Sequence, residues 1–198
     1  LNGIQDKLCD MPRNRGLHDR ESKRDDIVAT AREMFVSDGF ERASISRLAK
    51  AVGITPNTVY WYFDDKDDIL VAVLTTIAAE DAADYATVAD RSLAERLVWL
   101  VERLQRVGPL VSTVHDRVAK SAAIENWHNG FHYFAESLFA ADIEKAGLSG
   151  SEADAMLRIG TFVVEGLLMH APPPEVVRPV IDRLVATILP ASCTSAAE

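Results

Sequence analysis

Apolar residues along this chain recur at helical spacing in nearly every segment. Ile27, Ala31, Met34 and Phe35 form one stripe, at the three- and four-residue steps that share a helix face. Ser22, with Asp25 three positions on, is the expected N-cap, and the helix should run to about Ser37, ended by Gly39. Ser44 should cap the next helix, whose buried face is Ile45, Leu48, Ala49 and Val52. Gly53 then supplies a turn, Pro56 stands at a first helical position, where its missing N–H costs nothing, and Ile54 and Val59 fill the angle between the two helices. Ala49, four residues before Gly53, is small enough to let the two backbones approach.

Beyond this the pattern stays helical. Asp64 or Asp65 should cap a helix from about Lys66 to Ala83 carrying Ile69, Leu70, Val73, Leu74 and Ile77. Ser92-Leu-Ala-Glu95 has the form of a capping box and opens a helix to about Val107, which Gly108-Pro109 breaks. A shorter helix over about 110–120 follows, then one long helix over 122–146 with Ile124, Trp127, Phe131, Phe134 and Leu138 as its stripe, ended by Gly147. Ser149-Gly-Ser-Glu152 should cap a helix over about 149–170, and Pro172, Pro173 and Pro174 separate it from a last one over about 175–189. The fold class is all-α. Those last two helices carry apolar residues on more than one side, with Gly160 and Gly166 allowing close approach, so one face must meet something other than its own core.

The stretch 44–70 is a helix-turn-helix with a third helix behind it. Its second helix turns Thr55, Asn57, Thr58, Tyr60, Trp61 and Tyr62 outward. Hydroxyls and an amide bond phosphate oxygens and base edges, and aromatic rings touch sugars and thymine methyls, so this composition suits a DNA-reading helix. The net charge of −9 changes that picture less than it first suggests. Residues 7–63 carry a net +2 and residues 64–198 a net −10, so the acidity belongs to the part that need not touch DNA, where it turns phosphate away from the wrong face. Residues 1–21 lack periodicity and read as a flexible basic arm, with Lys7, Arg13, Arg15 and Arg20 suited to following a phosphate backbone or entering a minor groove. Leu1 is not Met, and Met11-Pro-Arg-Asn-Arg has the look of a natural start. The two cysteines, Cys9 and Cys193, lie in the two tails and offer neither metal spacing nor a disulfide framework; with no signal peptide and no membrane-length apolar run, a cytoplasmic location is expected.

The run from Ile27 to Leu74 resembles the DNA-binding domain of the TetR family of bacterial transcriptional regulators, through Ala31, Phe35, Gly39, Phe40, Leu48-Ala49, Val52-Gly53, Thr58-Val59-Tyr60, Phe63, Lys66 and Leu70. The resemblance implies an arm over 1–21, a DNA-binding domain over 22–65, an effector-binding and dimerisation domain over 66–190 and a tail over 191–198. It implies a homodimer formed through the last two helices, a near-palindromic double-stranded operator, a small-molecule effector that releases a repressor, and no cofactor. Carried over position by position, the DNA contacts are Ser44, Ser46, Arg47, Thr55, Asn57, Thr58, Tyr60, Trp61, Tyr62 and Lys66, with Thr55 and Lys66 on phosphates and Asn57 and Trp61 on bases. The family often has His where Tyr62 stands and small residues where Asn57 and Asp65 stand, and Asp65 beside Lys66 is a local electrostatic cost.

For the effector, Trp99, Trp127, Phe131, Phe134, Phe162 and Met169 supply apolar surface, with Tyr133 a further ring, and His115, Asn126, His128 and Glu165 polar groups to orient a ligand. This composition favours an apolar or aromatic effector, uncharged or weakly cationic. Glu125, His128, His132 and Glu136 share a helix face and raise the alternative of a metal-using enzyme, but Asn129 follows His128 where a zinc protease needs Glu. That face reads instead as solvated, lying opposite the aromatic stripe, and no metal site or catalytic residue is assigned. A second alternative is a helical protein-interaction module without DNA binding.

Overall fold

The computed structural model describes residues 12–188. Cys9, Cys193, the arm before residue 12 and the tail over 191–198 lie outside the described residues. The rest is helical, with no strand among the described residues, and divides into two compact units at Val73/Leu74.

The first unit holds α1 (Pro12–Ser37), α2 (Ile45–Val52), α3 (Pro56–Tyr60) and the opening residues of α4 (Lys66–Tyr85). Helix α1 begins ten residues before the expected cap, so Ser22 lies inside a helix and 12–21 is no irregular arm. The expectation looked for apolar periodicity, which a helix needs only where it packs. Once Ile27, Ala31 and Phe35 are buried, propagation into a polar, Arg-rich stretch costs little because the nucleus already exists. Gly39 (φ 85°) closes the helix and Phe40 turns its ring edge onto Phe35, centroids 5.1 Å apart.

Helix α2 is capped as expected, Ser44 Oγ accepting from the Arg47 N–H at 3.2 Å. Gly53 ends it at φ 77°, where a Cβ would meet nothing within 4 Å. The backbone conformation, not crowding, therefore requires glycine there. Leu48, Ala49 and Val59 are buried at the helix pair, and Ile69, Leu70 and Val73 of α4 are fully buried as well. This burial is why the compact division falls after Val73 and not at the expected 65/66.

The second unit holds the remainder of α4 with α5 (Leu93–Arg106), α6 (Gly108–Arg117), α7 (Ala122–Ser137), α8 (Ala140–Lys145), α9 (Gly150–His170) and α10 (Pro174–Ile188). The capping box at Ser92 forms, its N–H donating to Glu95 Oε2 at 3.0 Å and its Oγ accepting the Glu95 N–H at 3.4 Å. Ser149 occupies the N-cap of α9 without a capping bond from its side chain.

The expected single helix over 122–146 is two. Ser137 Oγ donates to the Phe134 carbonyl at 2.6 Å, and the chain turns at Leu138 and Phe139 before α8. Beyond the break Phe139 and Ile143 are buried in the core with Leu97, Leu100, Ile181 and Leu184. Gly160 lines a cavity and, like Gly166, has open space where a Cβ would stand, so neither is a close-approach point within the protomer.

Candidate nucleic-acid interface and ligand cavity

Helix α3 is a single polar turn held by its own caps. Thr55 Oγ1 accepts from the Thr58 N–H at 3.2 Å and lies 2.9 Å from Thr58 Oγ1, so one hydroxyl donates to the other and the second keeps its hydrogen for another acceptor. Asn57, Tyr60 and Trp61 are exposed, Trp61 by 81%. Such exposure of an indole loses about 1.5–3 kcal/mol of available burial and has no structural purpose in the protomer. Tyr62 is half-buried, with the Arg20 guanidinium 6.0 Å from its ring centroid.

Ser44, Ser46 and Arg47 at the start of α2 are exposed too. Arg47 donates to Asp38 Oδ2 at 2.5 Å and to the Arg42 carbonyl at 2.9 Å, and its hydrogen bond holds the Asp38 carboxyl below its ordinary pKa. Lys66 donates to the Phe40 carbonyl at 2.9 Å with its ammonium 4.1 Å from the Phe40 ring centroid. An ammonium has three donors, so two remain for a phosphate. Asp65, read from sequence as an electrostatic cost, is the N-cap of α4: its Oδ1 accepts from the N–H groups of Asp67 and Asp68 at 2.7 and 2.9 Å. Arg20, read from the sequence as part of a basic arm suited to a phosphate backbone, lies on α1 with its guanidinium beside Tyr62.

The second unit contains two clefts of about 690 and 580 Å³. The larger is walled by apolar residues of α5, α9 and α10 such as Leu97, Leu104, Met156 and Leu184. The smaller is lined from α4, α6 and α7 by Ile77, Val114 and Trp127. Leu104, Phe131, His132, Glu165 and Leu168 line both.

Of the residues expected to meet a ligand, His115, Trp127, His128, Phe131 and Glu165 line these clefts and the others do not. Asn126 and Phe134 are exposed on the outer side of α7, and Phe162 and Met169 are exposed on α9. Trp99 is half-buried against the core, with Tyr85 edge-on at 5.9 Å and the Arg103 guanidinium 5.6 Å from its centroid.

The physical reason is the rotation of α7. Its inward face is Ile124, His128, Phe131, His132 and Ala135, so the histidines expected to face solvent point inward while Phe134 points out. Trp127 and Phe131 stack at 5.2 Å. His132 Nε2 lies 2.9 Å from His128 Nε2 and 3.1 Å from Glu165 Oε1, and Thr161 Oγ1 donates to Glu136 Oε1 at 3.0 Å. Burial, with the neighbouring His132 and His115, pushes the His128 imidazole below its ordinary pKa. A mostly apolar cleft with a few convergent polar groups suits a small molecule. Thr161 was missed, since a lone Thr inside an apolar helix gives no sequence signal.

Residues 27–73 match the family model described as bacterial regulatory proteins, tetR family. The HTH-type transcriptional repressor AcnR of Corynebacterium diphtheriae is 28% identical over 183 residues, covering 76% of this chain and 94% of that protein. A transcriptional regulator from Rhodococcus sp. Rha1 superposes with a TM-score of 0.69 at 20% identity, over 84% of this chain and 95% of that one. A regulator from Saccharomonospora viridis crystallised in complex with choline gives 0.68 at 20% identity, over 83% and 96%. At these identities the likeness to the solved structures is one of fold.

Proposed function

This chain belongs to the TetR family of bacterial regulatory proteins, and from that premise we propose that it is a cytoplasmic repressor that binds a near-palindromic operator as a homodimer and leaves it when a small molecule enters the second unit. That it is a DNA-binding, ligand-responsive regulator follows from the family and its repressor relatives. The observation that carries the finer reading is the helix pair α2–α3, with Asn57, Tyr60 and Trp61 unpartnered on the outside of a turn fixed by Gly53.

In this reading Asn57 and Trp61 meet base edges, and Ser44, Ser46, Arg47, Thr55, Thr58, Tyr60, Tyr62 and Lys66 meet the backbone around them. Two copies related by a two-fold axis present α3 to successive major grooves about 34–36 Å apart. The functional division then falls near 65/66, with 66–190 serving ligand and dimer. Helix α4 is the element through which the two functions communicate, since it starts with Lys66 and its later residues Leu74, Ile77 and Asp81 line the smaller cleft. A ligand that binds the released conformation 100-fold more tightly supplies about 2.7 kcal/mol of coupling. The apolar cleft walls and the His and Glu groups fit an aromatic or apolar molecule with one polar handle, and the choline seen in the Saccharomonospora neighbour fits the weakly cationic end of that class.

The test is duplex binding by fluorescence anisotropy, using DNA from upstream of the protein's own reading frame. Affinity should fall at least about 10³-fold between 50 and 200 mM salt, as expected for 6–10 phosphate contacts. A folded dimer that binds no duplex at low salt overturns the reading.

A further inference from the structure

Three of the chain's five histidines converge with a carboxylate in the smaller cleft, His132 and Glu165 standing on the wall it shares with the larger. We propose that this cluster is a binding site for a divalent transition-metal ion of the zinc class, held by His115 of α6, His128 and His132 of α7 and Glu165 of α9.

The geometry is that of a ligand set. His115, His128 and Glu165 each offer an atom within 4.8 Å of the others. His132 Nε2 lies 2.9 Å from His128 Nε2 and 3.1 Å from Glu165 Oε1, while Glu165 Oε1 lies 3.8 Å from His128 Nε2 and 3.9 Å from His115 Nε2. Tetrahedral zinc with bonds of about 2.0–2.1 Å places its ligand atoms about 3.3–3.4 Å apart, close to the four separations given, and His132, which stands outside the mutually close trio, would turn toward the ion to complete the set. Three elements supply the donors, so the ion would pin α6 and α9 to α7.

The chemistry points the same way. Without an ion, His132 Nε2 has one proton or one lone pair to share between His128 and Glu165, and one of those contacts is left poorly satisfied. An ion takes a lone pair from each donor at once. Neutral imidazole supplies the lone pair that ligates. Nitrogen donors with a single carboxylate oxygen match zinc and its neighbours in the first transition row, and not magnesium or calcium, which take oxygen. Asp81, the other acid on the smaller cleft, is held by Arg103 at 2.5 Å and does not compete. Leu104, Phe131 and Leu168 around the cluster lower the local dielectric and strengthen each bond.

The test uses the full chain without a polyhistidine tag, with Cys9→Ser and Cys193→Ser to remove the thiols, stripped with chelator and titrated with Co²⁺ in the absence of DNA. The expected result is one Co²⁺ per chain with the intense visible absorption of a tetrahedral site, displaced by Zn²⁺. Glu165→Gln and His128→Ala should each weaken binding at least about tenfold, the low end of what even a neighbour of a metal ligand contributes, whereas His18→Gln should leave it unchanged. Circular dichroism verifies folding, and Glu165→Gln, nearly isosteric, decides if His128→Ala fails to fold. Absence of stoichiometric binding by the folded protein, or equal binding by both variants, overturns the proposal. Because no duplex is present, failure of the metal site and failure of the repressor reading give separate results.

Discussion

Arg96 on α5 donates from Nη2 to Asp142 Oδ2 on α8 at 2.6 Å, with the guanidinium almost fully buried. Its Nη1 donates to the Tyr85 hydroxyl at 2.8 Å and its Cζ lies 5.7 Å from the Phe139 centroid. Phe139 lies at the turn between α7 and α8 and Asp142 in the first turn of α8, so the ion pair ties the start of α8 to α5.

Removing one partner should therefore cost far more than the pair is worth. Asp142→Ala leaves a buried guanidinium without its counter-charge and is expected to destabilise the protein by about 3–5 kcal/mol in urea denaturation. Arg96→Met combined with Asp142→Leu should recover most of that loss, because two apolar side chains fill the same space without desolvating charge. A double variant as unstable as the single one would contradict this account.

Gly53 makes a second, separable demand. Its Cβ position is open, so Gly53→Ala meets only the strain of a left-handed backbone, about 1–2 kcal/mol. Gly53→Asn should cost less, because Asn visits that region more readily. Chemical denaturation of both variants checks the order, and equal losses would place the requirement elsewhere.

The helix-turn-helix was legible because each of its signals is local. Ser44, Gly53 and Pro56 act within a few residues of themselves and take their expected local roles, while Thr55, expected only as a phosphate contact, is the N-cap of α3. The all-α class and most helix ends follow from the same kind of signal. The start of α1 was not legible, since a polar helix carried outward from a packed segment leaves no periodic trace. Nor was the turn of α7: His128 and His132 look like a polar face until His115 and Glu165, distant in sequence, arrive to receive them. Rotation of a helix about its axis is decided by partners, and a single aromatic such as Phe134 does not reveal it.

His128 should make stability depend on pH. Burial, then the His132 and His115 rings, lower its pKa in the folded protein, with Glu165 and a hydrogen bond to Asn129 opposing. The unfolded chain then takes up the proton at higher pH than the folded one, so the stabilisation is present above the unfolded value of 6.5 and is lost as pH falls through it. The melting temperature of the chelator-stripped parent protein should drop on going from about pH 7.5 to about 5.5, and that of His128→Gln, stripped likewise, should drop less. Identical pH profiles in the two proteins would show that this imidazole is not the group responsible.

Trp61 separates recognition from folding. It is 81% exposed, so Trp61→Ala should change stability by no more than about 0.5 kcal/mol. If its ring meets a base edge, operator affinity should fall by about 1–3 kcal/mol with an unchanged salt slope. Lys66→Met should instead lower the salt slope by about 1, the mark of one lost phosphate contact. Anisotropy titrations at several salt concentrations distinguish the two behaviours, and a Trp61→Ala protein with parental affinity would remove that residue from the interface.

The proposed dimer surface gives the last expectation. Phe162 is 67% exposed, and Ile159 and Met169 of α9 and Val176 and Val180 of α10 are exposed with it. Ile159, Phe162 and Met169 recur at three- and seven-residue steps, and Val176 and Val180 at four, so each helix offers a stripe. Apolar stripes of this kind are what a two-fold interface buries against its own copy. Phe162→Glu puts a charge into the middle of one stripe from each subunit, and loss of an interface anchor costs at least about 2 kcal/mol, more when the replacement is charged. Sedimentation velocity at micromolar concentration should therefore show monomer for Phe162→Glu and dimer for the parent. Tyr133→Glu is the control: Tyr133 is 78% exposed but lies on α7, outside both stripes, and should leave the dimer intact. The reverse pattern, with Tyr133→Glu monomeric and Phe162→Glu dimeric, would move the interface from α9 and α10 to α7.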